Sequence, residues 1–462
     1  MLVATARHSE LEFAVGVAPN GNRAHGLRLH LRRTYTSPGP RMDRSSLPRP
    51  RCGAALMPSD NLHDIIWVGL FQENMTNNPQ PSITELFISF LRLGVTAFGG
   101  PSMVAYIRKM AVEKKKWLDA EVFNDGVALC QTVPGATAMQ TAAYVGLKTR
   151  GVVGAAASFI GFGLPAFLLM MTLSALYVNA HDLPMVISAF SGLQGIIVAI
   201  VANAALSFGK TTLKDWKAFA IAAMAAGLFG LNVSPILVII LAAIGGLALI
   251  KPKPSNSPVN SPSAQMSQSI KLFIFILSSV ATGFVLLFFF NPTLFNLAAL
   301  FFRIDLFAFG GGFASVPLMF HEIVEVRHWL DSQTLMDGIV LGQITPGPIV
   351  ITATFIGYLL SGPIGGTIST ISIFLPSFLM VVGVSPYFDK LRTLPSFNKV
   401  IGGVLCSFVG LLFTVAVRFA LDIHWDLPHL LLTSIAFVAL LLKKDILWVV
   451  VLGTAASVLL FR

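Results

Sequence analysis

Four places in the sequence put glycine or proline where an apolar run would otherwise continue. They are Phe98-Gly99-Gly100-Pro101, Gln131-Thr132-Val133-Pro134-Gly135, Phe309-Gly310-Gly311-Gly312 and Gln343-Ile344-Thr345-Pro346-Gly347-Pro348. Glycine admits dihedrals closed to other residues, while proline lacks an N–H and suits the first turn of a new helix. A helix that restarts inside a membrane points free N–H groups and the positive end of its dipole inward, which is the chemistry of anion binding. A single break of this kind reads equally well as a kink or as room for tight helix packing. Four breaks in matched pairs favour the anion site.

Around the breaks lie the polar residues such a site needs. Arg92 and Arg303 each stand six residues before a Phe-Gly-Gly. An arginine at that depth is costly unless it is paired or faces water, and its planar fork suits a tetrahedral oxyanion. The plainer alternatives are that Arg92 snorkels to the interface and that Arg303 pairs with Asp305; Arg418, nearer a segment end, is also expected to snorkel. Gln131 and Gln343 either donate to an oxyanion or bind neighbouring helices. Asp125, Asp337, Asp305 and Glu85 are candidates for a proton relay, with the helix N-cap as the competing role for Asp125 and Asp337. The histidines and cysteines show no ligand spacing, so no metal and no cofactor are expected. Trp117 and Trp329 are expected at the bilayer interface.

The elements that position these residues are set by composition. Of 462 residues, 55% are apolar and 12% charged, too few charges to cover a soluble protein of this size. Apolar stretches of roughly 18 to 25 residues recur from about residue 83 onward, each long enough to cross a hydrocarbon core about 30 Å thick. The bilayer is the solvent. The net charge of +10 sits in short loops and in the N-terminal tail, a pattern that topology produces and that gives no support to nucleic-acid binding. Residues 1–74 form a basic extension with nine arginines before Cys52. It reads as a transit peptide or as sequence upstream of a start at Met75.

The chain is an internal repeat. Phe98-Gly99-Gly100 returns as Phe309-Gly310-Gly311, Trp117-Leu118-Asp119 as Trp329-Leu330-Asp331, and Pro134-Gly135 as Pro346-Gly347, always 211 or 212 residues on. Gly151 and Leu164-Pro165 match Gly362 and Leu375-Pro376 in the same register. The first repeat spans 83–250, a Ser/Pro-rich linker 251–269 and the second repeat 270–462. The loop with Arg108, Lys109, Lys114, Lys115 and Lys116 belongs inside the cell; its counterpart, with Glu322, Glu325 and Asp331 against Arg327, belongs outside. The expected architecture is an all-α polytopic membrane protein of two inverted-topology repeats with broken or re-entrant helices. It has about 13 apolar segments, nine of them crossing.

At Phe98-Gly99-Gly100-Pro101, Trp117-Leu118-Asp119 and Gln131-Thr132-Val133-Pro134-Gly135, and at their second-half partners, the sequence resembles the chromate ion transporter family in its long two-domain form. The resemblance covers roughly residues 83–462. It implies export of chromate, driven by the proton gradient or by anion exchange, with sulfate as a substrate analogue. It further implies a multi-pass protein of the bacterial plasma membrane, with a homodimer among the expected assemblies. Its motif region maps onto Arg92, Phe98, Gly99, Gly100, Pro101, Gln131, Pro134 and Gly135, and onto Arg303, Phe309, Gly310, Gly311, Gln343, Pro346 and Gly347. The second half carries Gly312 where the first carries Pro101, so the two breaks need not be equivalent. Three rivals to chromate export stand beside it: a sulfate or other oxyanion importer, a passive anion channel, and a membrane-embedded enzyme, for which no nucleophile or carboxylate pair appears at workable spacing.

Overall fold

The computed structural model describes residues 80–98, 102–180, 183–250 and 266–461, in which all regular structure is helical. The first repeat contributes α1 (Ile83–Thr96), α2 (Ser102–Arg108), α3 (Ala120–Thr132), α4 (Thr137–Ala180), α5 (Pro184–Thr212), α6 (Trp216–Gly230) and α7 (Pro235–Leu249). The extra helix α8 (Met266–Phe290) follows. The second repeat then gives α9 (Pro292–Phe307), α10 (Ser315–Met319), α11 (Ser332–Ile344), α12 (Thr352–Val384), α13 (Phe388–Thr393), α14 (Pro395–Asp422), α15 (Leu427–Leu441) and α16 (Ile446–Leu460). A π-helical turn closes each Gly-Gly segment, at Lys109–Lys114 and at Phe320–Val326.

The Gly/Pro signals end and restart helices where the sequence places them. α1 stops at Thr96 and α9 at Phe307, just before the two Phe-Gly-Gly motifs; α3 and α11 stop at Thr132 and Ile344, before the two Pro-Gly motifs. Asp119 and Asp331 hold the N-cap positions of α3 and α11. Asp125 and Asp337 therefore lie inside those helices; Asp331 caps α11 by accepting the Thr334 N–H at 2.7 Å, while the Asp119 side chain makes no capping hydrogen bond.

α4 and α12 are each a tight hairpin rather than one rod. The chain reverses at Arg150-Gly151 (φ +63° at the glycine) and in nearly identical geometry at Ser361-Gly362 (φ +63°). Positive φ with ψ near −155° is a region essentially reserved for glycine and costs an L side chain about 1–3 kcal/mol. Small residues let the two arms touch: a Cβ on Gly146 would lie 2.1 Å from the Gly154 carbonyl oxygen, and one on Gly365 would lie 2.2 Å from that of Gly357. The Ser158 hydroxyl donates to the Ala142 carbonyl at 2.7 Å across the first hairpin; Thr354 and Thr370 join at 2.6 Å across the second.

These hairpins form the centre. α4 packs on α12, α1 lies along α4, and α9 lies along α12. The remaining helices are exchanged between repeats: α5 packs on α15 and α16, while α14 packs on α6 and α7. Each repeat thus covers the long helix of the other. Among the described residues five helices are long and apolar enough to cross a membrane, α8 among them, and four shorter apolar ones, α6, α7, α15 and α16, have 15 residues each. Helices cover the segments expected to cross, but 15 residues reach only about 22 Å, short of a hydrocarbon core. No residue in the apolar stretch of α8 is fully buried, although Leu272, Phe273 and Ile276 pack against the core.

Candidate functional site

The four breaks meet across the repeats. The Gly135 N–H donates to the Ala308 carbonyl at 2.9 Å, and the Gly347 N–H donates to the Ala97 carbonyl at 3.1 Å. Each Pro-Gly turn therefore satisfies the orphan carbonyl left where the other repeat's α1 or α9 ends. Gly135 and Gly347 adopt φ of +120° and +125°, closed to other residues, and Gly310 and Gly311 both take +96°. The Gly310-Gly311-Gly312 segment touches both Pro-Gly turns: a Cβ on Gly311 would stand 3.3 Å from Thr137 Oγ1, and one on Gly312 would stand 2.9 Å from Ile349 Cγ2. Pro134, Gly135, Pro346 and Gly347 are buried, whereas Phe98 and Phe309 are half-buried. Gly99, Gly100 and Pro101 lie outside the described residues.

The other candidates disperse. Gln131 is exposed; Gln343 is half-buried, and its side-chain NH2 makes no hydrogen bond. Arg92 is exposed and forms no ion pair among the described residues. Arg303 pairs with Glu322, not with Asp305, and among the described residues no hydrogen bond or ion pair from either arginine reaches the breaks. Glu85 pairs with Lys115 at 2.8 Å near the start of α1. Asp125 pairs at 2.8 Å with Arg392, and Asp337 accepts the Tyr177 hydroxyl at 2.8 Å. Both partners come from the opposite repeat. Asp305 is the candidate carboxylate that sits at a break. It is fully buried, and Oδ2 accepts the Ser377 backbone N–H at 2.9 Å and the Ser377 hydroxyl at 2.7 Å.

Two residues that the sequence did not single out complete this centre. The Ser377 hydroxyl oxygen accepts the Ala136 N–H at 2.8 Å, linking the second repeat to the first Pro-Gly turn. Gln140 is fully buried, and its side-chain NH2 donates to the Pro134 carbonyl. Gln140 carried a legible signal, a polar residue on an apolar arm one turn past Pro-Gly. Ser377 carried none.

A second polar cluster surrounds the Phe320–Val326 turn. Glu322 is shared by Arg303 and Arg327, the latter at 3.5 Å. Glu325 binds His321 at 2.8 Å and also pairs with Arg418. Arg418 does not snorkel: it donates to the Phe229 carbonyl at 2.8 Å and to Asn232 Oδ1 at 2.7 Å, with its guanidinium 4.8 Å from the Phe229 ring centre. The acids that looked like loop charges are thus neutralised by arginines of α9 and α14 and by Arg327. Trp117 is buried, with Lys115 above its ring, and Trp329 is half-buried beneath Arg327. No group of histidine, cysteine or carboxylate side chains able to hold a metal occurs among the described residues.

Repeated broken helices, lipid-exposed apolar spans and polar groups held between repeats define an integral, multi-pass membrane protein of the transporter class. The sequence pattern of the chromate transporter family matches the chain twice, at residues 84–247 and 295–458, and the chain belongs to that family. An uncharacterised transporter of Methanocaldococcus jannaschii is 41% identical over 84% of this chain and 97% of its own. The chromate transport protein of Cupriavidus metallidurans is 31% identical over 79% of this chain and 89% of its own. A half-length transporter of Bacillus subtilis, YwrB, aligns over its whole length with 42% of this chain at 32% identity. No solved structure gives a significant match.

Proposed function

We propose that this protein exports chromate across the plasma membrane, with sulfate as a competing oxyanion, energised by the proton gradient or by anion exchange. The observation that carries this reading is the reciprocal pairing of the breaks, Gly135 with Ala308 and Gly347 with Ala97. It sets the starts of two half-helices against the ends of two others between the repeats, the arrangement in which secondary transporters hold anions. The chromate transport proteins among its relatives support the choice of anion.

In this reading residues 83–250 and 270–462 are inverted repeats joined by the linker 251–269, and the Gly-Gly and Pro-Gly segments enter and leave on the same side. The oxyanion is held by Phe98, Gly99, Gly100, Pro101, Gln131, Pro134 and Gly135 together with Phe309, Gly310, Gly311, Gln343, Pro346 and Gly347. Arg92 and Arg303 draw it toward the cavity. Asp305 is the best placed of the four relay candidates, being buried beside a break; Asp125, Asp337 and Glu85 act away from it. Transport rather than catalysis follows from the family.

The test is retention of radioactive chromate by a chromate-sensitive bacterium expressing residues 75–462, with and without an uncoupler. Export lowers retained chromate, and the uncoupler restores it. Raised accumulation instead identifies an importer, and excess sulfate then shows which oxyanion the site prefers.

A further inference from the structure

The first Pro-Gly turn has a chemistry that its counterpart lacks. Ala136 follows Pro134-Gly135 and presents an amide at the start of the first arm of α4; that amide donates to the Ser377 hydroxyl oxygen at 2.8 Å, and Ser377 in turn donates twice to Asp305 Oδ2. Asp305 Oδ1 and Gln140 Oε1 are both buried without a hydrogen-bond partner. At the second Pro-Gly turn Gly94 of the first repeat stands in for Asp305, Ala166 for Ser377, and Pro348, which has no N–H, for Ala136. The packing is nevertheless the same on both sides: a Cβ on Gly135 would strike Ser377 Oγ at 2.2 Å, and one on Gly347 would strike Ala166 Cβ at 2.8 Å. Shape is kept while the amide, the hydroxyl and the carboxylate occur together on one side only.

We propose that Asp305 and Ser377 form a proton-linked gate on the oxyanion site of the first repeat. With Asp305 ionised, its carboxylate fixes the serine hydroxyl as a cap on the Ala136 N–H and repels a second anion from the same amide. A proton on Asp305 removes that charge and releases the hydroxyl, so the amide and the hydroxyl can both turn to an oxyanion. Proton and oxyanion then bind together, one for one, and at one of the two breaks, which fits the anion-exchange form of the proposed export, since a proton bound with the anion leaves against its own gradient. An unpaired carboxylate at this depth is a proton-binding group by its physics. Its neighbours offer no other counter-charge: α12 carries Tyr358, α8 carries Lys271, α10 carries no titratable group, and Arg303 on α9 is taken by Glu322. Among the described residues none of these bonds to Asp305.

The inference rests on the oxyanion reading, and one experiment separates the two. Purified full-length protein in weakly buffered solution, at a pH where chromate itself holds no proton, is titrated with chromate while bound anion and proton uptake are both recorded. The wild type takes up about one proton per chromate bound, and its affinity falls by up to tenfold per unit rise of pH where Asp305 is ionised. D305N binds chromate without proton uptake and with an affinity independent of pH, and D305E recovers the uptake. A hydrogen bond with a merely structural role moves none of these readouts. Chromate binding by the wild type without proton uptake overturns the gate alone, as does unchanged uptake in D305N. No chromate binding removes the oxyanion reading, and the gate with it.

Discussion

A single methyl group separates two kinds of glycine in this protein. Gly151 has open space where a Cβ would point and needs only its φ of +63° with ψ of −155°, so Gly151→Ala should cost about 1–2 kcal/mol, within the range for that region. Gly146 is an ordinary helical residue whose Cβ would meet a carbonyl oxygen of the facing arm at 2.1 Å. Gly146→Ala should therefore cost about 3 kcal/mol, because the two arms must part. Thermal unfolding of the two purified variants checks the order, and a larger loss at Gly151 would contradict it. Arg418 raises the opposite issue, the loss of a partner. Arg418→Gln leaves Glu325 with His321 alone in a partly buried cluster, a loss on the order of 3 kcal/mol. The double variant with Glu325→Gln should recover most of it by the same measurement.

At the scale of elements, the breaks were legible and their partners were not. Glycine and proline announce a helix end from their own backbone chemistry, so Thr96, Thr132, Phe307 and Ile344 could be read as stops without knowledge of the fold. Several partners come from the opposite repeat: Ser377 reaches Ala136 from 241 positions away, Arg392 reaches Asp125 from 267, and Tyr177 reaches Asp337 from 160. No local pattern encodes such contacts, because a serine or tyrosine on an apolar helix looks alike whether it faces lipid or a neighbour. Two expectations about arginines fell short for a related reason. The Asp305 pairing considered for Arg303 and the snorkelling expected of Arg418 both fail because their acids lie on a turn brought to them by packing. The Asp125–Arg392 pair gives a test at this scale. As a partly exposed pair it contributes about 0.2–1 kcal/mol, so Asp125→Asn should barely move the unfolding temperature. If the pair holds α3 against α13 between transport steps, Asp125→Asn should nevertheless slow chromate efflux several-fold, and D125R with R392D together should restore it. Equal efflux in all three would limit the pair to structure.

The whole molecule is two repeats that cannot be separated without exposing their long helices. α5 lies on α15 and α16, and α14 lies on α6 and α7; either repeat alone leaves its long helix with lipid where it should have protein. Residues 75–250 and 270–462 expressed as separate chains should each be degraded or aggregate alone, and should co-purify and restore chromate efflux when expressed together. Recovery of a stable, folded first repeat by itself would show that the exchange of helices is not required for folding.

The joining of the two repeats into one polypeptide has an evolutionary consequence. Two identical half-length chains sharing such an interlocked arrangement inherit every substitution twice, so a carboxylate gained at one break arrives at the other as well. Once duplicated and fused, the copies can diverge independently: Asp305, Ser377 and the Ala136 amide on one side, and Gly94, Ala166 and Pro348 on the other, form a difference that only a heterologous pair of halves can carry. Fusion here secures a fixed one-to-one ratio of unlike halves, and with it a charge that is counted once.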